Sequence, residues 1–154
     1  MNQVVTAKAT APNEYSGAIV VSFDARWLDP ITRCRLKAVL RKRVPRTLVP
    51  KWIYFYVNSP VNQIVGRARI KTVESIGLSA ALLRSRDLCI GQDEIRAYLV
   101  ESKSAGLYII GRIELAKPAI SLADLRKELM FYPPQSFLFL SPPAKNIIDR
   151  LAQL

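Results

Sequence analysis

The residues with most capacity for chemistry crowd into one stretch, RCRLKAVLRKRVPR, from Arg33 to Arg46. Seven of its residues are basic and none is acidic, while Leu36, Ala38, Val39, Leu40 and Val44 run through it. Guanidinium groups grip phosphate in a bidentate fork and ammonium groups neutralise it as point charges. Arg33, Arg35, Lys37, Arg41, Lys42, Arg43 and Arg46 therefore form a candidate nucleic-acid contact surface. Like charges at helical spacing repel, so a merely solvated face usually mixes signs. A second set lies in QIVGRARIKTV, where Arg67, Arg69 and Lys71 alternate with Gly66, Ala68 and Ile70. Half-buried strand alternation alone produces that pattern, but three cations on one face also make a candidate phosphate track. Trp27 and Phe137 sit beside predicted turns and are candidates for stacking on an exposed base. Trp52, Tyr54 and Tyr56 occupy alternating strand positions and are expected chiefly in the core.

Other chemistry is thinly represented. With no histidine in the chain, a Ser–His–Asp mechanism is excluded. The two cysteines, Cys34 and Cys89, form no C-x-x-C pair, so neither a disulfide framework nor a zinc site is expected. Neither a phosphate loop nor a dinucleotide glycine fingerprint occurs, and no cofactor or metal is expected. Asp87, Asp93 and Glu94 surround a loop and a helix start, where capping accounts for them.

The elements that must hold these residues belong to a chain of 154 residues, enough for one domain with a sizeable core. Half of it is hydrophobic, and 23 basic residues against 12 acidic ones leave a net charge of +11. A fold gains nothing from that imbalance, which raises the local concentration of anions instead. Nucleic acid is the expected partner. A membrane surface is not, since no clean amphipathic helix unites the cations. The N-terminus has no long apolar run, WIYFYV is too short to span a bilayer, and a cytoplasmic protein is expected.

Residues 1–17 read as a flexible arm, and 18–154 as a single domain. GAIVVSF is a strand with both faces buried. Asp29-Pro30 signals a helix start, with the helix running to about Leu36. Beyond Lys37 the period fits a helix or a strand until Pro45 stops it. KWIYFYV and residues 63–73 are paired strands. Short helices follow near Ser79 and over 92–100, then a strand from Gly106 to about Leu115, with Gly111 as a bulge or a close approach. Ser121 and Asp124 have cap spacing for a helix over 122–129. Pro133-Pro134 turns the chain into an apolar run, and PPAKNIIDRL is a terminal helix that docks through Ile147, Ile148 and Leu151. The order fits an α+β fold, a small mixed or barrel-like sheet with peripheral helices.

Three segments together resemble the ASCH family, a branch of the PUA-like fold. They are Val21 to Pro45, Trp52 to Pro60 with Ile64-Val-Gly-Arg-Ala, and Pro118 to Arg126 with PPQSF, spanning residues 19–141. The last is similar to a subgroup of small regulators of transcription that bind RNA. The resemblance implies a PUA-like barrel with a cleft between barrel and helices that takes a nucleotide or nucleic acid. The family signature is Gly-x-Lys-x-x-Glu-x-Arg. Laid on this chain, it puts Cys34 at the Gly, Leu36 at the Lys, Val39 at the Glu and Arg41 at the Arg. Some members resemble amidohydrolases of acetylated cytidine and others are linked to RNA cleavage, with the Lys and a carboxylate doing the chemistry. Neither Leu36 nor Val39 can move a proton. Lys37 with Glu74 is the weak candidate for a rearranged catalytic pair. By the resemblance Arg41 lines the cleft, and Gln135 and Ser136 close its other wall.

The leading expectation is thus a noncatalytic RNA- or DNA-binding module using a basic cleft, compatible with a regulatory role. The alternatives are a nucleoside amidohydrolase or ribonuclease-like enzyme using Lys37 and Glu74, and a regulator that binds a small anion or a protein. A homodimer, compatible with the sequence, would extend the patch.

Overall fold

The structure is a computed structural model that describes residues 5–154. Six strands form one sheet: β1 (Ala18–Phe23), β2 (Ala38–Arg41), β3 (Trp52–Val57), β4 (Gln63–Ile76), β5 (Ala105–Ser121) and β6 (Phe137–Phe139). Their order is β2-β5-β4-β3-β1-β6. Only β1 and β3 run parallel, with Ala18 opposite Trp52 and Phe23 opposite Val57; the other neighbours are antiparallel. Six short helices surround the sheet: α1 (Leu28–Thr32), α2 (Leu78–Leu82), α3 (Ser85–Leu88), α4 (Gln92–Tyr98), α5 (Leu122–Glu128) and α6 (Pro142–Ala152). The sheet curls into a half-barrel, giving the expected α+β, PUA-like architecture.

The curl comes from the two longest strands. β4 and β5 pair over most of their length, with register breaks between Ile64 and Gly66, Ala68 and Ile70, and Ile70 and Thr72. Each extra residue bends its strand and increases the local twist. Gly66 permits close approach, because a Cβ there would lie 2.7 Å from the Glu114 carbonyl oxygen. The curl brings the edge strand β2 across to β1, although β5, β4 and β3 lie between them in the sheet. Arg41 on β2 donates a 3.0 Å hydrogen bond to the Ser22 carbonyl on β1.

Alternation along the strands divides the core. Val21, Phe23, Val39, Ile53, Phe55, Ala68, Ile70, Tyr108 and Ile110 meet inside the curl. Val20, Tyr54, Tyr56, Ile64 and Ile120 face outward beneath α5 and α6, against Leu125, Leu129, Ile148 and Ala152. Ala38, Leu40 and Leu107 carry the helical insertion through Ala81, Leu88, Ile95 and Leu99. Ser121 and Ser141 cap the last two helices, accepting from the Asp124 and Ala144 amides.

Three local expectations are corrected. The arm is docked over its described part: Ala7 is buried, and Thr6 and Lys8 bridge to Met130 and Leu140. The hydroxyl of Ser16 donates to the Leu140 carbonyl at 2.8 Å. β6 is a three-residue edge strand, and the arm satisfies backbone groups that such an edge leaves open. Residues 1–4 of the arm lie outside the described residues. The first helix begins at Leu28 and ends at Thr32, so Asp29 does not cap it. Residues 38–41 take the strand alternative, and β5 runs six residues beyond its expected end.

Gly106 on β5 receives Val44 from the basic loop after β2. A Cβ there would lie 2.9 Å from the Val44 Cβ and closer still to both methyl carbons. Gly106→Ala is expected to destabilise the fold by about 1–3 kcal/mol through overpacking. Chemical denaturation would measure the loss, and Val44→Ala should partly restore stability. Burial pushes the Tyr15 hydroxyl up to about 12 and also raises those of Tyr54, Tyr56 and Tyr108. The unfolded chain ionises first, near the ordinary tyrosine pKa of about 10, so stability is full below that pH and falls as pH rises toward 12. Melting curves across that range should show the decline, and replacing Tyr15 by Phe should reduce its slope.

Candidate functional site

A cavity of about 760 Å³ opens where the curl meets the helices. It is the size of sites that hold a nucleotide or another small ligand. The end of β1 supplies Ser22, Phe23 and Asp24, and the 3₁₀ turn Ala25–Trp27 supplies Arg26 and Trp27. Leu36 to Arg41 line a second side, apart from Lys37. Asn58, Leu88, Ile90, Glu94, Tyr98 and the segment Pro133 to Gln135 complete the wall. A shallower annexe of about 210 Å³ continues past Arg41, Tyr98 and Gln135 to Lys42, Arg43 and Ser136.

Arg41 is the central polar group. Its guanidinium donates to the Leu40 and Ser22 carbonyls, both at 3.0 Å, and sits 4.5 Å above the centre of the Phe23 ring. Burial lowers its pKa, while Tyr98, Tyr108 and Asp24 work to raise it. Two of its five N–H groups are thus committed, and the remainder have no protein acceptor among the described residues. A fixed, desolvated guanidinium with free donors facing a cavity is suited to a bound anion.

The walls are tied in place by backbone-directed contacts. The Ser22 hydroxyl donates to the Pro134 carbonyl at 2.7 Å, which holds the Pro-Pro turn and presents Gln135. The Lys42 amide donates to the Tyr98 hydroxyl at 3.0 Å, and the Lys42 ammonium lies 4.9 Å from the centre of that ring. Across the mouth, Arg26 stacks on Trp27 at 4.9 Å and forms an ion pair with Glu94. Trp27 itself meets Phe23 edge to face.

The structure brings together Trp27, Arg41, Lys42, Arg43, Gln135 and Ser136 from the sequence-based set. It separates the others. Arg33 and Arg35 both pair with Asp29, Arg33 at 2.7 Å, and Arg46 lies exposed in the loop beyond. Phe137 on β6 pairs with Val21 on β1 and packs on Phe139, and it is not part of either cavity wall. Arg67, Arg69 and Lys71 project from the other face of the sheet, because Ala68 and Ile70 between them enter the inner core. Lys37 is exposed, with its ammonium 3.4 Å from the Cys34 carbonyl. Glu74 lies beyond β5, three residues out of step: Lys37 accepts from Ile110, whereas Glu74 is opposite Leu107. Lys37 and Glu74 therefore do not form a pair.

Sequence reasoning missed Ser22, Asp24, Arg26, Asn58, Glu94 and Tyr98 as cavity residues. Their only signal was position at the ends of predicted strands and at a helix, and nothing local places those ends together. Among the described residues, no three Cys, Asp or Glu side chains converge as metal ligands. No helix among them is long and apolar enough to cross a membrane.

A scan against protein-family models finds no match, and a search of curated proteins finds none either. Solved structures are informative. The ASCH protein of Zymomonas mobilis superposes with a TM-score of 0.80 over 88% of this chain and 95% of its own, at 20% identity. A Ser-to-Ala variant of that protein gives the same TM-score at 19% identity, over 88% of this chain and 96% of its own. The chain has the ASCH fold. The N-terminal domain of Staphylothermus marinus McrB is a more distant likeness, with a TM-score of 0.62 and 12% identity over 97% of this chain and 98% of its own. Within the ASCH fold, Leu36 and Val39 both line the cavity and are almost fully buried. Cys34 has φ of 55°, a left-handed conformation that favours glycine.

The Arg26–Glu94 pair is half exposed, so it contributes little to folding. Glu94→Gln is expected to cost no more than about 1 kcal/mol of stability. It should nevertheless shift Trp27 fluorescence, since Arg26 loses the partner that holds it over the indole.

Proposed function

We propose that this protein is a noncatalytic nucleic-acid-binding module that seats one nucleotide unit in the cavity. The carrying observation is Arg41, desolvated, fixed by two carbonyls and left with free donors toward the cavity. Those donors receive a phosphate, and Lys42 and Arg43 along the annexe meet its neighbour. Trp27 and Tyr98 offer aromatic surface to the base. The noncatalytic reading rests on the floor: Leu36 and Val39 stand where the signature has Lys and Glu, and neither transfers a proton. Opposite Lys and Glu charges there would have to be buried and paired, whereas aliphatic groups pack without that cost. The ASCH-type fold of the neighbours agrees with this reading. A cytoplasmic regulatory protein follows from it, and a homodimer would lengthen the basic edge.

Fluorescence anisotropy with single- and double-stranded RNA and DNA, at two salt concentrations, tests the proposal. Arg41→Ala should weaken binding by about 1.5–3 kcal/mol, roughly 10- to 150-fold. It should also reduce the log–log salt slope by about 0.7–0.9, one phosphate contact. Absence of oligonucleotide binding at low salt, with saturable binding of a mononucleotide, would replace the module by a small-anion receptor.

A further inference from the structure

The cations of β4 lie behind the cavity, and they are organised as a surface of their own. Trp52 on β3 stands opposite Arg69 on β4. The Arg67 and Arg69 guanidiniums lie 4.3 and 4.6 Å from the centre of its ring. Arg67 is internally satisfied: it pairs with Glu114 at 2.7 Å and Asp149 at 3.0 Å, and its side chain is only 13% exposed. Asp149 also holds Lys145 at 2.8 Å and accepts from the Tyr54 hydroxyl. Glu114 and Asp149 are thereby occupied, and Glu74 further along β4 accepts from the Thr72 hydroxyl at 3.2 Å. Arg69, Lys71 and Arg112 are exposed and make no ion pair among the described residues.

The neighbourhood of these three cations is shaped to display them. Arg69 is held by the indole, which fixes a long side chain before any partner arrives. Gly111 lies in the register break that faces Arg69, and a Cβ there would lie 3.8 Å from the Lys71 Cε. The lysine stem thus crosses the glycine, next in sequence to Arg112. Like charges gathered across neighbouring strands repel, so folding gains nothing from the cluster.

We propose that Arg69, Lys71 and Arg112 form a second phosphodiester-backbone surface on the sheet face opposite the cavity. Residues two apart on a strand are separated by about 6.6 Å, a step that suits successive phosphates. Among the described residues neither cavity includes this face, so its contacts track a backbone and read no base. The inference rests on the protein being a nucleic-acid binder, but not on the cavity being the site. A strand long enough to leave the cavity and cross the sheet edge would engage both faces.

The test compares single strands of about 5 and about 30 nucleotides, against the wild type and the triple variant Arg69→Gln, Lys71→Gln, Arg112→Gln. The substitutions are on the surface, and a melting curve confirms folding; Lys71→Glu alone serves if the triple variant is unstable. The triple variant should keep wild-type affinity for the short strand. For the long strand its log–log salt slope should fall by about 2, and its affinity at least 10-fold. Unchanged binding of the long strand would overturn the proposal. So would binding confined to vesicles containing phosphatidylserine and sensitive to the same substitutions, which would make this a membrane surface. If Arg41→Ala leaves the short strand unaffected while the triple variant still loses the long one, the cavity reading fails and the second surface stands.

Discussion

The contact on which the site depends is the reach of Arg41 from the edge strand β2 to the Ser22 carbonyl on β1. Three strands separate these two in the sheet, and only a strongly curled sheet brings them together. The curl is built into β4 and β5, whose repeated register breaks bend the longest pair in the molecule. Arg41 closes the resulting space and is partly buried as it does so, which lowers its pKa. Two carbonyls and the face of Phe23 offset that desolvation without neutralising the charge. Among the described residues the guanidinium makes no ion pair, although Asp24 is near enough to favour its charge.

Acidic residues are scarce, and their positions decide which cations are available. Asp29 takes Arg33 and Arg35, Glu114 and Asp149 take Arg67, and Asp149 also takes Lys145. Glu94 holds Arg26 at the mouth of the cavity. Arg41, Lys42 and Arg43 at the cavity rim and Arg69, Lys71 and Arg112 behind the sheet are among the cations that make no ion pair among the described residues. The indole of Trp52 works as a platform for arginines.

The segment before β2 explains why Lys37 does not line the cavity. Cys34 turns through a left-handed conformation, after which Leu36 is buried in the cavity floor and Lys37 is directed to solvent. Its backbone is fixed on both sides, donating to the Asp87 carbonyl at 2.9 Å and accepting from Ile110 at 3.1 Å. A one-residue rotation would break both bonds and bury an ammonium in an apolar floor.

Much of the fold was legible in the sequence because it follows from local periodicity. The alternation of QIVGRARIKTV, the aromatic run of β3 and the serine cap at Ser121 each depend on neighbours in the chain. Residue type also determined that Leu36 and Val39 cannot move a proton wherever they lie. The site was only half legible. Arg41, Lys42, Arg43 and Gln135 could be named, but Asp24, Asn58, Glu94 and Tyr98 could not, since they meet only through the curl. Sequence put Arg67, Arg69 and Lys71 on one face of a strand, and tertiary structure decided that the face points away from the cavity. The reason is physical: charge and alternation are properties of the chain, whereas the side of a sheet that becomes an interior is set by non-local pairing and the direction of its bend.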